Sequence, residues 1–425
     1  KPETIAADPL ARIYSPAAAA EHLPDLDADA RHAVTELLAK NGETAHLAAL
    51  ADAPPVTDTA ASVSPEEAAH LFDHNAFNPT GLEKFASCGF AYYCSKILKL
   101  REEPDDSLNA ATVGTFMHYI LEHALAAVTE KGKEISLFTT DEIRELVEKT
   151  VSDYRARLLA TGNDLSLRAE ALLQRLSTLA RLALTSLLGE FSDSDFTPAF
   201  LELDLTAFGS RSTAKLQSGE EIPLSGKADR VDLFLSKDNT AYLRVADYKT
   251  GRKQFKREDI PSGFCLQMPL YLYALCRGRH PELAKSLGLP PDTIFRPAGV
   301  TYLSTAVGSD STPARVDEET ALQDAVLRMK REGVLLEDEE VTRAMSRSGN
   351  SAIIGSSRGK SISHVDGAGF EELFDELSAS VERLSAKMRS GAANADPQKN
   401  AGKLPCEYCA FAPVCRAAQK NKKGG

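Results

Sequence analysis

Two strand-like runs joined by a tight polar turn constrain this chain more than any other feature. Residues 222–235 and 241–248 alternate or run apolar, and Ser236-Lys237-Asp238-Asn239 between them supplies turn residues. The first run contains Gly226-Lys227-Ala228-Asp229-Arg230-Val231-Asp232, and the second continues as Val245-Ala246-Asp247-Tyr248-Lys249-Thr250-Gly251. Adjacent strands of this kind can set Asp229 beside Asp247. Two carboxylates that close are tolerable only where a cation neutralises them, and magnesium, or manganese in its stead, is the natural candidate. Lys249 follows Asp247 by two residues, so on a strand both point to one face. A cation that acidifies water and polarises a phosphate, with a lysine for the developing charge, is what phosphodiester hydrolysis requires. An Asp-x-Lys alone reads as a solvated surface pair; its neighbours in the sequence decide otherwise.

Those neighbours imply an α/β class with a mixed sheet flanked by helices. Residues 200–205 and 299–304 read as further strands, with a helix over 263–277 between them. Ahead of the strands the pattern is helical. One helix opens near Thr80, where Thr80-Gly81-Leu82-Glu83 fits a capping box, and it carries Cys88 and Cys94. A second covers 111–129, and packed helices cover 141–188. Later helices are expected over 318–333 and 369–388, with a Ser/Gly-rich mobile loop over 346–363. Residues 1–75, rich in Ala, Asp and Pro, read as a linker or the edge of a missing neighbour; 76–420 reads as the principal domain.

A length of 425 residues exceeds what one core usually organises. The formal charge of −12 excludes an all-round basic coat for nucleic acid, though not a local groove. Basic clusters stand at 249–256, 328–331 and 420–423; the last two read as solvated faces. No apolar run approaches the length of a membrane helix, so no membrane association is expected. Seven cysteines without a secretion signal point to a reducing, cytoplasmic setting.

Cys406-Glu407-Tyr408-Cys409, followed by Cys415, places three thiols around a tight loop, a pattern that calls for a metal. A fourth ligand is missing locally. Cys88, Cys94, Cys265 and Cys276 are the candidates, and the apolar surroundings of Cys265 and Cys276 read as core. Spacing admits either zinc or an iron-sulfur cluster.

His118 and Glu122 stand four apart on one helix, as Gln267 and Tyr271 do on another, so each pair shares a face. In order, Gly114-x-x-x-His118, Glu202, Gly226-x-x-Asp229, Asp247-x-Lys249 and Gln267-x-x-x-Tyr271 resemble the motif series of RecB-type nucleases of the PD-(D/E)xK superfamily. Over roughly residues 64–416 the chain resembles the C-terminal part of the AddB component of bacterial helicase-nucleases. The segments that carry this further likeness include Phe85-Ala86-Ser87-Cys88-Gly89-Phe90 and Pro297-Ala298-Gly299-Val300-Thr301-Tyr302, although AddB has Pro where Gly89 stands.

The resemblance implies a restriction-endonuclease-like core with helical insertions. It implies that His118, Asp229, Asp247 and the carbonyl of Tyr248 hold magnesium, that Lys249 is the catalytic lysine, and that Glu202 is the acid preceding the core strands. Gln267 and Tyr271 would orient DNA and the lysine, with Asp232 structural. It also implies a four-iron, four-sulfur cluster on Cys88, Cys406, Cys409 and Cys415, joining the domain's ends. The expected substrate is the single strand ending 5′ that emerges from the motor of an AddA-like partner during double-strand-break processing. No Gly-x-x-x-x-Gly-Lys-Ser/Thr phosphate loop occurs, so no ATP-driven unwinding is expected of this chain. The competing readings are a non-catalytic DNA-end-binding module, a stand-alone RecB-like exonuclease and a zinc-stapled scaffold.

Overall fold

The computed structural model describes residues 26–40, 63–72, 77–100, 110–132, 134–160, 166–206, 213–251, 255–277, 280–305, 331–349, 362–400 and 402–415, together with residues 19, 23, 325, 326 and 329. Residues 1–61 and 412–425 form one compact unit and residues 62–411 another. In the smaller unit helix α1 (Ala28–Lys40) packs Leu38 with Ala19, Leu23 and Leu26, a small core within the stretch expected to be linker.

The larger unit opens ahead of the boundary expected at residue 76, with α2 (Pro65–Phe72). It continues through α3 (Pro79–Ser87), α4 (Gly89–Tyr92), a π-turn at Tyr93–Ile97, α5 (Ala110–Glu130), α6 (Thr140–Ala160) and α7 (Leu167–Ser192). The strands are β1 (Thr197–Asp204), β2 (Thr213–Lys215), β3 (Glu221–Pro223), β4 (Lys227–Leu235) and β5 (Ala241–Lys249). After them come α8 (Gln267–Cys276), α9 (Pro281–Ser286), β6 (Phe295–Ser304), β7 (Arg331–Leu336), α10 (Glu339–Met345), β8 (Ile362–Val365) and α11 (Gly367–Arg389).

Six strands form one mixed sheet in the order β1-β4-β5-β6-β7-β8, and β2 with β3 forms a separate hairpin. The β4–β5 hairpin is antiparallel, as its polar turn predicts, whereas β5 and β6 run parallel because α8 carries the chain back across the sheet. Two cores enclose the sheet. On one side Val231, Leu243 and Val245 pack with Leu82 and Phe85 of α3, Leu270 of α8 and Phe374 of α11. On the other, α5, α6 and α7 bury Phe116, Ile120, Val147 and Leu187 together with Tyr248 and Leu303. Burial on both faces explains why the central strands read as nearly continuous apolar runs.

Three local expectations are corrected. The cap of α3 is Asn78, whose side chain accepts from the amides of Thr80 and Gly81; Thr80 lies inside the helix. The run 222–235 is two strands, because Gly226 adopts φ +145 and the backbone just before it, at Pro223 and Ser225, bonds to Phe77 instead of continuing the sheet. Residues 331–333, expected as a helix end, belong to β7. There Gly333 passes so close to β6 that a Cβ would stand 2.0 Å from the carbonyl oxygen of Val300. Residues 318–324 of the expected 318–333 helix and 350–361 of the expected 346–363 loop lie outside the described residues, and residues 362 and 363 of that loop belong to β8.

Candidate active site

Four elements converge where β4 begins and β5 ends. The register that pairs Arg230 with Ala246 carries Asp229 opposite Asp247, and the pairing of Leu201 with Arg230 brings Glu202 of β1 alongside. Helix α5 adds His118. Its Nε2 lies 2.9 Å from the Tyr248 carbonyl oxygen, and its Nδ1 lies 3.3 Å from Asp229 Oδ2 and 3.8 Å from Glu202 Oε1. Asp229 Oδ2 also accepts the Tyr248 amide at 2.9 Å. Among the described residues, His118, Glu202 and Asp229 form a group whose ligand atoms all lie within 4.8 Å of one another. Glu202 holds φ +51, a left-handed conformation that a non-glycine residue keeps only where its surroundings enforce it. Glu122, which shares the helix face of His118, instead faces His123 at 3.5 Å.

Asp247 is 1% exposed and turned toward Lys249, whose Nζ lies 2.8 Å from Oδ1 and 2.7 Å from Oδ2. Only the Oδ1 contact has hydrogen-bond geometry; the buried Oδ2 has ion-pair proximity without a hydrogen bond. Burial raises the Asp247 carboxyl to about 6, the charge of Asp229 adds to the rise, and Lys249 opposes it. For His118, burial disfavours the charged ring, but bonds to Asp229 and Glu202 outweigh it and raise the imidazole to about 10. An imidazolium held among carboxylates marks a place that demands positive charge. The donor set of carboxylates, imidazole and a carbonyl is hard and oxygen-rich, and with the buried Asp247 oxygen that lacks a hydrogen bond it fits magnesium or manganese.

Tyr271 borders this place. A Cβ on Gly226 would stand 2.2 Å from its hydroxyl oxygen, so only glycine admits the ring there. Burial raises the phenol to about 12, a hydrogen bond with Gln267 opposes the rise, and the charges of Asp229 and Asp247 reinforce it. Thus His118, Glu202, Asp229, Asp247, Tyr248, Lys249, Gln267 and Tyr271 gather at one end of the sheet.

Behind the site lies a buried ion network of two carboxylates and three guanidiniums. Asp232 accepts from Arg230 Nε at 2.9 Å and from Arg244 Nε and Nη2 at 2.9 and 2.7 Å. Glu190 of α7 accepts from Arg244 at 2.8 Å and from Arg331 at 3.1 Å. Arg331, expected on a solvated face, is instead buried, because its guanidinium meets Glu190 and Ser186. Arg230 reaches the Tyr248 hydroxyl at 3.1 Å, so the network also fixes the residue whose carbonyl and amide touch His118 and Asp229. One signal points to the network in advance: Glu190 falls at helical spacing from Ser186 and Leu187, on the apolar face of α7.

Cys88, Cys94 and Cys265 are buried, and Cys276, Cys406, Cys409 and Cys415 are half-buried. Cys88 ends α3, and the stretch preceding Cys406 and Cys409 returns to that helix. Gln398 N donates to Ser87 O at 2.8 Å, Phe90 N donates to Asn394 O at 2.9 Å, and Lys84 lies over the Phe411 ring. Cys265 is buried in the core beside α8, and Cys276 is half-buried with its thiol raised by desolvation, as a packing role requires. Among the described residues, no group of three or more ligand atoms within 4.8 Å includes a cysteine.

A family model described as the PD-(D/E)XK nuclease superfamily matches residues 76–416. The chain belongs to this superfamily. Among similar proteins, the B component of the ATP-dependent helicase/deoxyribonuclease of Acetivibrio thermocellus is 29% identical over 365 residues, 83% of this chain and 31% of that protein. Its counterpart from Ruminiclostridium cellulolyticum is 31% identical over 362 residues, 82% of this chain and 30% of the relative. The chain therefore spans about a third of the length of these curated relatives. The superfamily's mixed sheet with flanking helices is the fold described above, as the resemblance to AddB implied. Among the described residues no helix is long and apolar enough to cross a membrane.

Proposed function

We propose that this chain is the nuclease domain of a helicase-nuclease and hydrolyses phosphodiester bonds of single-stranded DNA in a magnesium-dependent reaction. The observation that carries the reading is the convergence of His118, Glu202 and Asp229 with the Asp247–Lys249 pair. His118, Asp229, Asp247 and the Tyr248 carbonyl are the proposed ligands; the position of Glu202 in the donor group adds it to the set. A bound divalent cation would supply Lewis acidity toward the phosphate and water. With Asp247 among the ligands, Lys249 would turn from its carboxylate to face the attacked phosphate, and Tyr271 and Gln267 would border the strand.

The exonucleolytic mode, the preference for a strand ending 5′ and the association with an AddA-like partner are parts of the same proposal, supported by the likeness to the helicase/deoxyribonuclease relatives. Cys88, Cys406, Cys409 and Cys415 are proposed to hold a four-iron, four-sulfur cluster. The return of the 394–411 segment to α3 supports this for the ligands in the larger unit; Cys415 rests on its spacing and the resemblance alone.

The test is incubation of end-labelled single-stranded DNA with magnesium. Wild-type protein is expected to cut and Asp247→Ala to lose at least on the order of a hundred-fold in rate. Binding without metal-dependent cutting by the wild type would overturn the assignment in favour of an end-binding module.

A further inference from the structure

We propose that Glu83 is a positioning residue of this site: its carboxylate, carried on α3, caps α8 from outside and holds the turn that presents Gln267 and Tyr271. The catalytic consequence rests on the nuclease reading above. Helix α8 begins without a side-chain cap of its own, and Cys265, just before its cap residue Leu266, stands at φ +57. Glu83 Oε1 instead accepts from the amides of Leu266 at 2.7 Å and Gln267 at 3.2 Å, across 183 and 184 residues of chain. Amides at a helix start are unpartnered within the helix and carry partial positive charge, so a carboxylate there is favoured.

A local Ser or Asp would satisfy the same amides. An acceptor supplied by α3 does more, because it ties the start of α8 to a second, firmly seated helix. α3 is capped by Asn78, buries Leu82 and Phe85, and lies so close to Gly263 that a Cβ there would meet Ala86 at 2.6 Å. From Gln267 it is one helical turn to Tyr271, whose hydroxyl packs on Gly226, three residues before Asp229. The tolerance at that contact is small, so a slip of α8 is felt at the site itself.

Glu83→Ala and Glu83→Gln test this with three readouts: hydrogen exchange of the 266–268 amides, steady-state cutting of labelled single-stranded DNA with magnesium, and manganese affinity by electron paramagnetic resonance. In Glu83→Ala the exchange should rise by roughly ten-fold, the amount a lost cap permits. kcat should fall on the order of a hundred-fold, as for a small misplacement of aligned groups, while KM and manganese affinity stay unchanged. Glu83→Gln, which keeps an oxygen acceptor, should restore most of both. Unaltered exchange, wild-type cutting by Glu83→Ala, or a loss of kcat matched by a loss of manganese affinity overturns the proposal. A wild-type protein that cuts nothing overturns the nuclease reading instead, and the exchange measurement still decides whether Glu83 caps α8.

Discussion

Glu190→Gln preserves the shape of the side chain and removes one of the two carboxylates that face three buried guanidiniums. Arg230, Arg244 and Arg331 lie with Glu190 and Asp232 at 4% side-chain exposure or less, so one positive charge is already in excess and the substitution makes it two. Arg331 would keep Ser186, and the Gln oxygen can accept one of the bonds that Glu190 takes. Removing one partner from a buried ion pair costs about 3–5 kcal/mol, and the retained acceptor places the expected loss near the lower figure, ~3 kcal/mol. Against a whole-domain stability of about 5–15 kcal/mol that is a large share.

Urea unfolding followed by far-ultraviolet circular dichroism is the assay, since the chain has no tryptophan; the midpoint should drop with an unchanged slope. The pH dependence gives a second check. Burial raises the Glu190 carboxyl, but Arg244, Arg331 and Arg230 together lower it below its ordinary 4.5. A depressed folded-state value means that the contribution is complete above 4.5 and lost as pH falls through the folded value. The gap between wild type and Glu190→Gln should therefore narrow under acid. Coincident midpoints at neutral pH, or a gap that persists through acidification, would show that Glu190 does not hold this network together.

Two further outcomes are expected. Gly226→Ala forces a Cβ toward the Tyr271 hydroxyl at a backbone angle that alanine avoids; a loss of about 1–3 kcal/mol in urea and a collapse of DNA cutting should follow, and wild-type cutting would show that this contact is dispensable. Cys409→Ser, prepared without oxygen, should lose iron, visible absorbance and several degrees of thermal midpoint together; zinc in the wild-type protein would replace the cluster assignment with a structural zinc site.

The hairpin of β4 and β5, though not its extension back to residue 222, the facing of Asp229 and Asp247 and the shared face of Asp247 and Lys249 were legible because strand period and turn chemistry are local rules. So was the helical pairing of Gln267 with Tyr271. Tertiary structure alone decided which side chains answer one another across the chain. Thr80-Gly81-Leu82-Glu83 satisfies the local grammar of a capping box, yet Asn78 takes the cap and Glu83 turns to amides of α8, where unpartnered donors at a buried helix start offer more than an exposed local bond. Arg331 reads as one more surface cation until Glu190 and Ser186 are packed against it. A residue's own propensity is written within a few positions of it, but the charge it must neutralise comes from whichever segment folding brings into contact, and that is not encoded in spacing.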